Sequence, residues 1–387
     1  MIQHFITSLP MLVCLFWSAV LWMDWRREGS AAKLRLMVFS IVATMLYAGH
    51  FAYFNREYGA IPVTDTLYSM ANLMVFPLYY LYIKEVTEQG WKRHWQVTLL
   101  VPALITGIGV GACYACMDEA EAQQFIDTHL YAHRLTGGGG SFAATMQQAI
   151  HLIAKAVFAI EVVAVMVMGY RRIEKFDEMV ENCYADTDER SLRSIKILLM
   201  MLVTVSVLSF AANAIGKDAF LDSLPMLGTV SLTFSTLLFL LLYTGHRQDF
   251  TIRELMEEAA PSNSPEVETI PSTESRRLSD AIEAMMNDEQ LFLKPDLRIS
   301  DVADLLHTNR NYIYKAINSD MQTSFSDYVN RKRIGYAIQL MKDNPSASAA
   351  EIYLKAGFTS QSTFFRNFKS FTGITPKEYL RKHTHHS

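Results

Sequence analysis

Charge is scarce in this 387-residue sequence. Asp, Glu, Lys and Arg make up 19% of it, where a soluble protein holds about 25%. Half of the residues are apolar, and mean hydropathy is +0.11. Cysteine is scarcer still, with four residues, Cys14, Cys113, Cys116 and Cys183, which excludes a disulfide scaffold. Cys113 and Cys116 have CxxC spacing, but no second pair and no His cluster completes a zinc set. They read as two small residues of an apolar helix, with a redox pair left open. HExxH and GxSxG are missing, and no two facing spans carry an aspartate pair. The common hydrolytic centres are therefore not encoded. The run Gly137–Gly140 lacks the following Lys-Ser/Thr of a phosphate cradle. The last apolar run has no lysine for a retinal. No cleavable signal peptide is expected, because no positive charge precedes the first apolar run and no A-x-A site follows it. Neither catalysis nor a cofactor nor a metal site is expected.

The charge that is present is unevenly placed. Residues 1–245 hold 17 Lys/Arg and 20 Asp/Glu, or 15% charged. Residues 276–387 hold 16 and 12, or 25%. The expected organisation is an apolar domain over 1–246, an acidic flexible linker over 247–275 and a soluble domain over 276–387. The expected fold class is all-α. A seven-helix transmembrane bundle precedes an all-helical domain with tandem helix–turn–helix units.

Seven segments are long and apolar enough to cross a bilayer, which takes about 20 residues. They lie near 5–23, 34–54, 63–83, 95–117, 146–170, 195–216 and 223–243. The six connections carry 4, 1, 3, 1, 6 and 1 Lys/Arg. That alternation predicts an N-terminus outside and a C-terminal domain in the cytoplasm of a bacterial inner membrane. Trp22, Trp25, Trp91 and Trp95 fall at the inferred inner interface, where amphipathic rings settle. Polar groups within spans are costly and often functional. His50, Asp65, His151, Lys155 and Asn213 fall in the outer half, and Glu161 lies near the middle. They define a candidate pocket for an unknown small-molecule ligand, or else hydrogen-bonding glue between helices. The linker carries Glu254, Glu257, Glu258, Glu266, Glu268 and Glu274 with three prolines, the composition of a self-repelling tether.

From Ser275 the apolar period is helical. ISDVADLLHTNRNYIYKAIN reads as helix, turn, helix, with Ser300 as cap. A longer helix follows over about 324–342, with Phe325, Tyr328, Ile334, Ile338 and Leu340/Met341 as its buried positions. AAEIYLKAGF and SQSTFFRNFKSF form a second helix–turn–helix, in which Gly357 serves the turn, Ser360 caps, and Phe364 and Phe368 face inward. From Leu305 onward there are 12 Lys/Arg against 5 Asp/Glu, a surplus suited to a phosphate backbone. Helix–turn–helix units place a second helix in the major groove.

Residues 276–387 resemble the DNA-binding domain of AraC-family transcription regulators. The resemblance rests on Asn330-x-x-Arg333-Ile334-x-x-Ala337 in the connecting helix. It rests further on the run from Ala356 to Lys369 (AGFTSQSTFFRNFK) and on Thr372-Gly373-Ile374-Thr375-Pro376-Lys377-Glu378-Tyr379. His307 stands where the family's first turn often has Gly, and Tyr353 where a small Ala is usual. The resemblance implies two three-helix subdomains reading successive major grooves. Base contacts would fall on Asn311, Tyr314 and Lys315, then on Gln361, Ser362 and Arg366, with Arg310 and Ser360 on the backbone. The sequence thus reads as a membrane-anchored one-component transcription regulator. Its expected partners are double-stranded promoter DNA, the lipid bilayer, a small ligand and, on DNA, a second copy of itself. The alternative is a receptor or transporter-like protein whose helix–turn–helix domain contacts protein.

Overall fold

The computed structural model describes residues 1–88, 95–132, 141–188, 190–215, 223–248, 255, 272–344 and 347–384. Among them every regular element is helical, and one isolated bridge pairs Tyr184 with Arg298. The chain divides into two compact units. The first comprises 1–174 and 192–251, and the second 175–191 and 252–387.

The first unit contains α1 (Ile2–Glu28), α2 (Ala31–Phe54), α3 (Ile61–Thr87), α4 (Trp95–Cys116), the short α5 (Glu119–Phe125), most of α6 (Phe142–Cys183), α7 (Arg193–Ile215) and α8 (Leu224–His246). Helix α2 packs between α1 and α3, α3 packs on α4, and α8 packs on α1 and α7. Among the described residues, five helices are long and apolar enough to cross a membrane: α1, α2, α4 from Thr98, α6 and α8. The other two expected spans, 63–83 and 195–216, also lie on helices, α3 and α7, but are not among those five. Apolar side chains stand outward on this unit, among them Phe16, Leu152, Ile153, Ile160 and Leu232, each more than half exposed.

Interhelical contacts are close and sparingly polar. A Cβ on Gly49 would lie 2.6 Å from Cβ of Tyr68, so α2 and α3 meet where no side chain fits. Ser40 Oγ donates to Cys14 O at 2.7 Å, and Ser231 Oγ donates to Ile6 O at 2.5 Å. Hydroxyls bonded in this way satisfy carbonyls that an apolar setting leaves without water. No disulfide joins the four cysteines.

Helix α6 departs from expectation. It runs 42 residues, far past the expected end at 170. The reason is legible in RRIEKFDEMVENC, where Ile173, Phe176 and Val180 recur at helical spacing and are fully buried. A polar stretch taken for a loop is therefore an amphipathic helical extension. The chain between the fourth and fifth expected spans also folds, into α5 and a wide turn over Ile126–Tyr131. Gly137–Gly140, Trp91 and nearly all of the linker lie outside the described residues.

The second unit adds α9 (Ser272–Asp288), α10 (Ile299–Leu305), α11 (Arg310–Lys315), α12 (Phe325–Asp343), α13 (Ala349–Lys355), α14 (Gln361–Thr372) and α15 (Pro376–Thr384). Helix α9 begins at Ser272, four residues before the expected start of the domain at 276. Caps set the other boundaries. Ser324 Oγ accepts from Asp327 N at 3.1 Å, and Ser348 with Glu351 forms a capping box. Ser300 is not a cap. The Asp301 carboxylate instead accepts from Arg298 N at 2.8 Å and starts α10 at Ile299.

Helix α12 serves two cores. Phe325 and Val329 are buried toward its start, and Ile334, Ala337 and Met341 are buried further along. The latter join Ile352, Ala356, Phe358, Phe364 and Phe368 in one cluster. Ile338 and Leu340, expected inside, pack only partly buried against that cluster. Tyr353 also packs at its edge, its ring 6.5 Å from that of Phe364. Pro345 lies outside the described residues.

Candidate nucleic-acid interface

Two helix–turn–helix units hang on α12. In the first, α10 and α11 are joined through His307, whose φ is 50°. An L-residue holds that left-handed conformation at modest cost. In the second, α13 and α14 are joined through Gly357 at φ 80°. A Cβ there would lie 2.7 Å from Leu293 O, so this turn needs glycine both for its conformation and for its space.

The inner faces fix the outer ones. On α14, Phe364 and Phe368 are fully buried and Thr363 nearly so. Gln361, Ser362 and Arg366 stand exposed on the opposite side. Ser360 caps the helix by accepting from Thr363 N at 3.2 Å. On α11, Ile313 is buried, Tyr314 is 43% exposed, and Arg310, Asn311 and Lys315 are partly exposed. Asn309 caps α11 by accepting from Asn311 N at 2.9 Å. The first unit thus offers the first turn of its second helix with two cations, Arg310 and Lys315, and the second offers its first turn with Arg366, the arrangement that base-edge and phosphate contacts require.

Arg333 holds the two halves in register. It is 1% exposed, and Nε donates to Phe292 O at 2.7 Å while Nη2 donates to Lys294 O at 2.8 Å. Its guanidinium lies 5.5 Å from the Phe358 ring centroid. Burial pulls its pKa down to about 10, against the opposing pull of the Asp186 and Asp296 carboxylates. It stays charged at neutral pH. Asn330, the other polar residue of the sequence pattern, is also buried, and its Nδ2 donates to Ser326 Oγ at 3.2 Å.

One partner of the exposed face was not anticipated. Arg366 Nη2 donates to Asp188 Oδ1 at 2.5 Å. Asp188 also accepts from the Thr363 hydroxyl, and Asp186 accepts from the Thr359 hydroxyl. Burial lifts the Asp186 carboxyl above its ordinary range. Both acids sit in the connection after α6, and nothing in its sequence pairs them with residues more than 170 positions away.

A family model described as a helix-turn-helix domain matches residues 302–382. Three relatives align over the same end of the chain. An uncharacterized transcriptional regulatory protein YesN of Bacillus subtilis is 36% identical over 90 residues, 23% of this chain and 24% of that protein. The Msm operon regulatory protein of Streptococcus mutans is 30% identical over 86 residues, 22% and 31% respectively. The melibiose operon regulatory protein of Escherichia coli is 34% identical over 85 residues, 22% and 28%. The C-terminal unit carries an AraC-type helix–turn–helix domain. The match spans about a quarter to a third of the curated relatives. No solved structure matches the chain.

Outside the AraC-type domain, the candidate pocket residues divide. Asp65 Oδ2 accepts from Tyr114 Oη at 2.9 Å and lies 3.5 Å from Gln147 Nε2 and 3.4 Å from His151 Nε2. His129, from the turn after α5, stacks on His151 at 5.8 Å and lies 3.0 Å from Gln148. Asp65 and His151 therefore meet. Tyr114, Gln147 and His129 join them, and no spacing rule in the sequence links those three elements. His50 packs against Tyr68 at 5.1 Å, apart from this group. Lys155 is exposed and does not join His151 in the cluster. Glu161 is partly buried, and its Oε2 has no hydrogen-bond partner. The Asn213 side chain lies outside the described residues. No group of three or more metal-ligating side chains occurs among the described residues.

Proposed function

We propose that this protein is a membrane-anchored one-component transcription regulator. Its AraC-type domain reads promoter DNA, and its apolar unit receives the signal. The observation that carries the DNA reading is the pair of second helices. Each is packed on one side by aromatic or aliphatic core and presents Arg310, Asn311, Tyr314 and Lys315, or Ser360, Gln361, Ser362 and Arg366, on the other. The relatives with regulatory names support the same reading.

Membrane anchoring is supported by five helices of sufficient length and hydropathy and by the apolar side chains they hold outward. A surface of that kind is disfavoured in water and at home in lipid. Seven spans with the N-terminus outside follow from the alternating Lys/Arg count. The signal site is the cluster of Asp65, Tyr114, Gln147 and His151, a carboxylate with donors around it, which suits a small polar ligand. On DNA the domain works as a homodimer, matching paired half-sites.

The test uses the full chain in lipid nanodiscs and a random-sequence 40-base-pair duplex. Three cations on these faces (Arg310, Lys315, Arg366) predict that log K falls against log salt with a slope of about −3. Lys315→Ala reduces that slope by about 1. A duplex that never binds, or binds without salt dependence, overturns the proposal.

A further inference from the structure

The connection 184–191 belongs to the second unit together with the AraC-type domain. Its described residues, all but Glu189, are held closely. Tyr184, Ala185 and Asp186 are each less than 10% exposed. Ala185 N donates to Leu297 O at 2.9 Å, and Ala185 O accepts from Ser326 Oγ and Asn330 Nδ2, both at 3.1 Å. Arg190 lies over the Tyr184 ring at 4.3 Å, bonds Asp296 at 2.8 Å and donates to Asp186 O at 3.0 Å. One edge of the segment is thus anchored to the α10 side of the domain and to α12.

The other edge is chemically specific. Asp186 takes the Thr359 hydroxyl just before the α14 cap, and Asp188 takes Thr363 on its first turn and Arg366 one turn further. Two carboxylates therefore cover the turn and the cation that the DNA reading assigns to the duplex. A phosphate backbone would seek the same positively polarised helix end and the same guanidinium. It would also meet two negative charges there. DNA and segment 184–191 compete for one surface.

We propose that segment 184–191 is an internal DNA mimic that holds the second helix–turn–helix unit closed, and that its release is the step that permits DNA binding. This rests on the DNA-binding reading above. The segment connects α6 to α7 in the chain, so any displacement of either helix reaches it covalently. At α14 its grip is made of charge and hydroxyl bonds, and none of its side chains enters the apolar cluster there. It can therefore leave without unfolding the core built on Phe364 and Phe368.

The experiment compares wild-type full chain in nanodiscs with D186N/D188N, with Asp188→Glu and with Arg190→Ala. The probe is the same random-sequence 40-base-pair duplex, read by fluorescence anisotropy. Removing both charges raises affinity about tenfold or more, as expected when a closed state is depopulated. Arg190→Ala, which loosens the anchored edge, also raises affinity. Asp188→Glu, which keeps the charge, stays near wild type. A thermal melt of each variant shows that the helical fold persists. Equal or weaker binding by D186N/D188N, with Lys315→Ala still weakening it, overturns the closed state and leaves the DNA reading standing. No binding by any variant overturns both.

Discussion

At the residue scale, two side-chain positions decide whether the domain assembles. Gly357 has φ 80° and no space beside Leu293 O. Gly357→Ala therefore costs about 1–3 kcal/mol of stability in the second helix–turn–helix unit, read as a lower unfolding midpoint. The same substitution at Gly373, also at φ 80° but open, strains the backbone alone and costs less. Phe364 is fully buried among Phe358, Phe368 and Tyr353. Phe364→Ala costs about 3–5 kcal/mol, which denaturant unfolding measures directly. Both positions were legible in the sequence, because a turn glycine and an i, i+4 aromatic pair are local patterns. The role of Arg333 was legible only as part of a resemblance. Its partners Phe292 O and Lys294 O are backbone atoms about forty residues away, and carbonyls leave no mark in a side-chain pattern.

At the element scale, caps and amphipathic faces account for most helix boundaries, and misreading follows where they are ambiguous. Ser300 resembled a cap until Asp301 reached back to Arg298 N. Helix α6 was cut short because its polar residues counted as loop, although Ile173, Phe176 and Val180 kept the period. Helix α9 joins α12 through Glu283, which accepts from Tyr328 Oη at 2.5 Å and from Lys332 Nζ. Burial pushes the Glu283 carboxyl up, but the bonds from Lys332 and Tyr328 outweigh it and hold the pKa below the ordinary value. A depressed carboxyl stabilises the fold above its unfolded pKa, and that contribution is lost as pH falls through the folded one. Stability of the α9–α12 contact therefore declines on acidification below the usual glutamate range. Glu283→Gln flattens that decline, as pH-dependent denaturation will show.

At the scale of the whole molecule, the sparse charge of the sequence resolves into an apolar helical unit and a more highly charged helix–turn–helix domain. Composition made that division visible. It could not show that residues 175–191 group with that domain. The decisive contacts, Asp186 to Thr359 and Asp188 to Thr363 and Arg366, join positions more than 170 apart in the chain. A near-neutral net charge is consistent with nucleic-acid binding here, because acids outside the domain offset its surplus. In the proposed mode of action, the full chain reads a specific duplex through both second helices. That mode is tested most directly by crosslinking the intact protein to DNA in its own cells and sequencing what is recovered. The recovered fragments are expected to share a motif whose two contacted segments lie about 10 base pairs apart. Preference in one segment is lost with Asn311→Ala and in the other with Gln361→Ala. Recovered fragments without a common motif, or a motif indifferent to both substitutions, would contradict that mode of action.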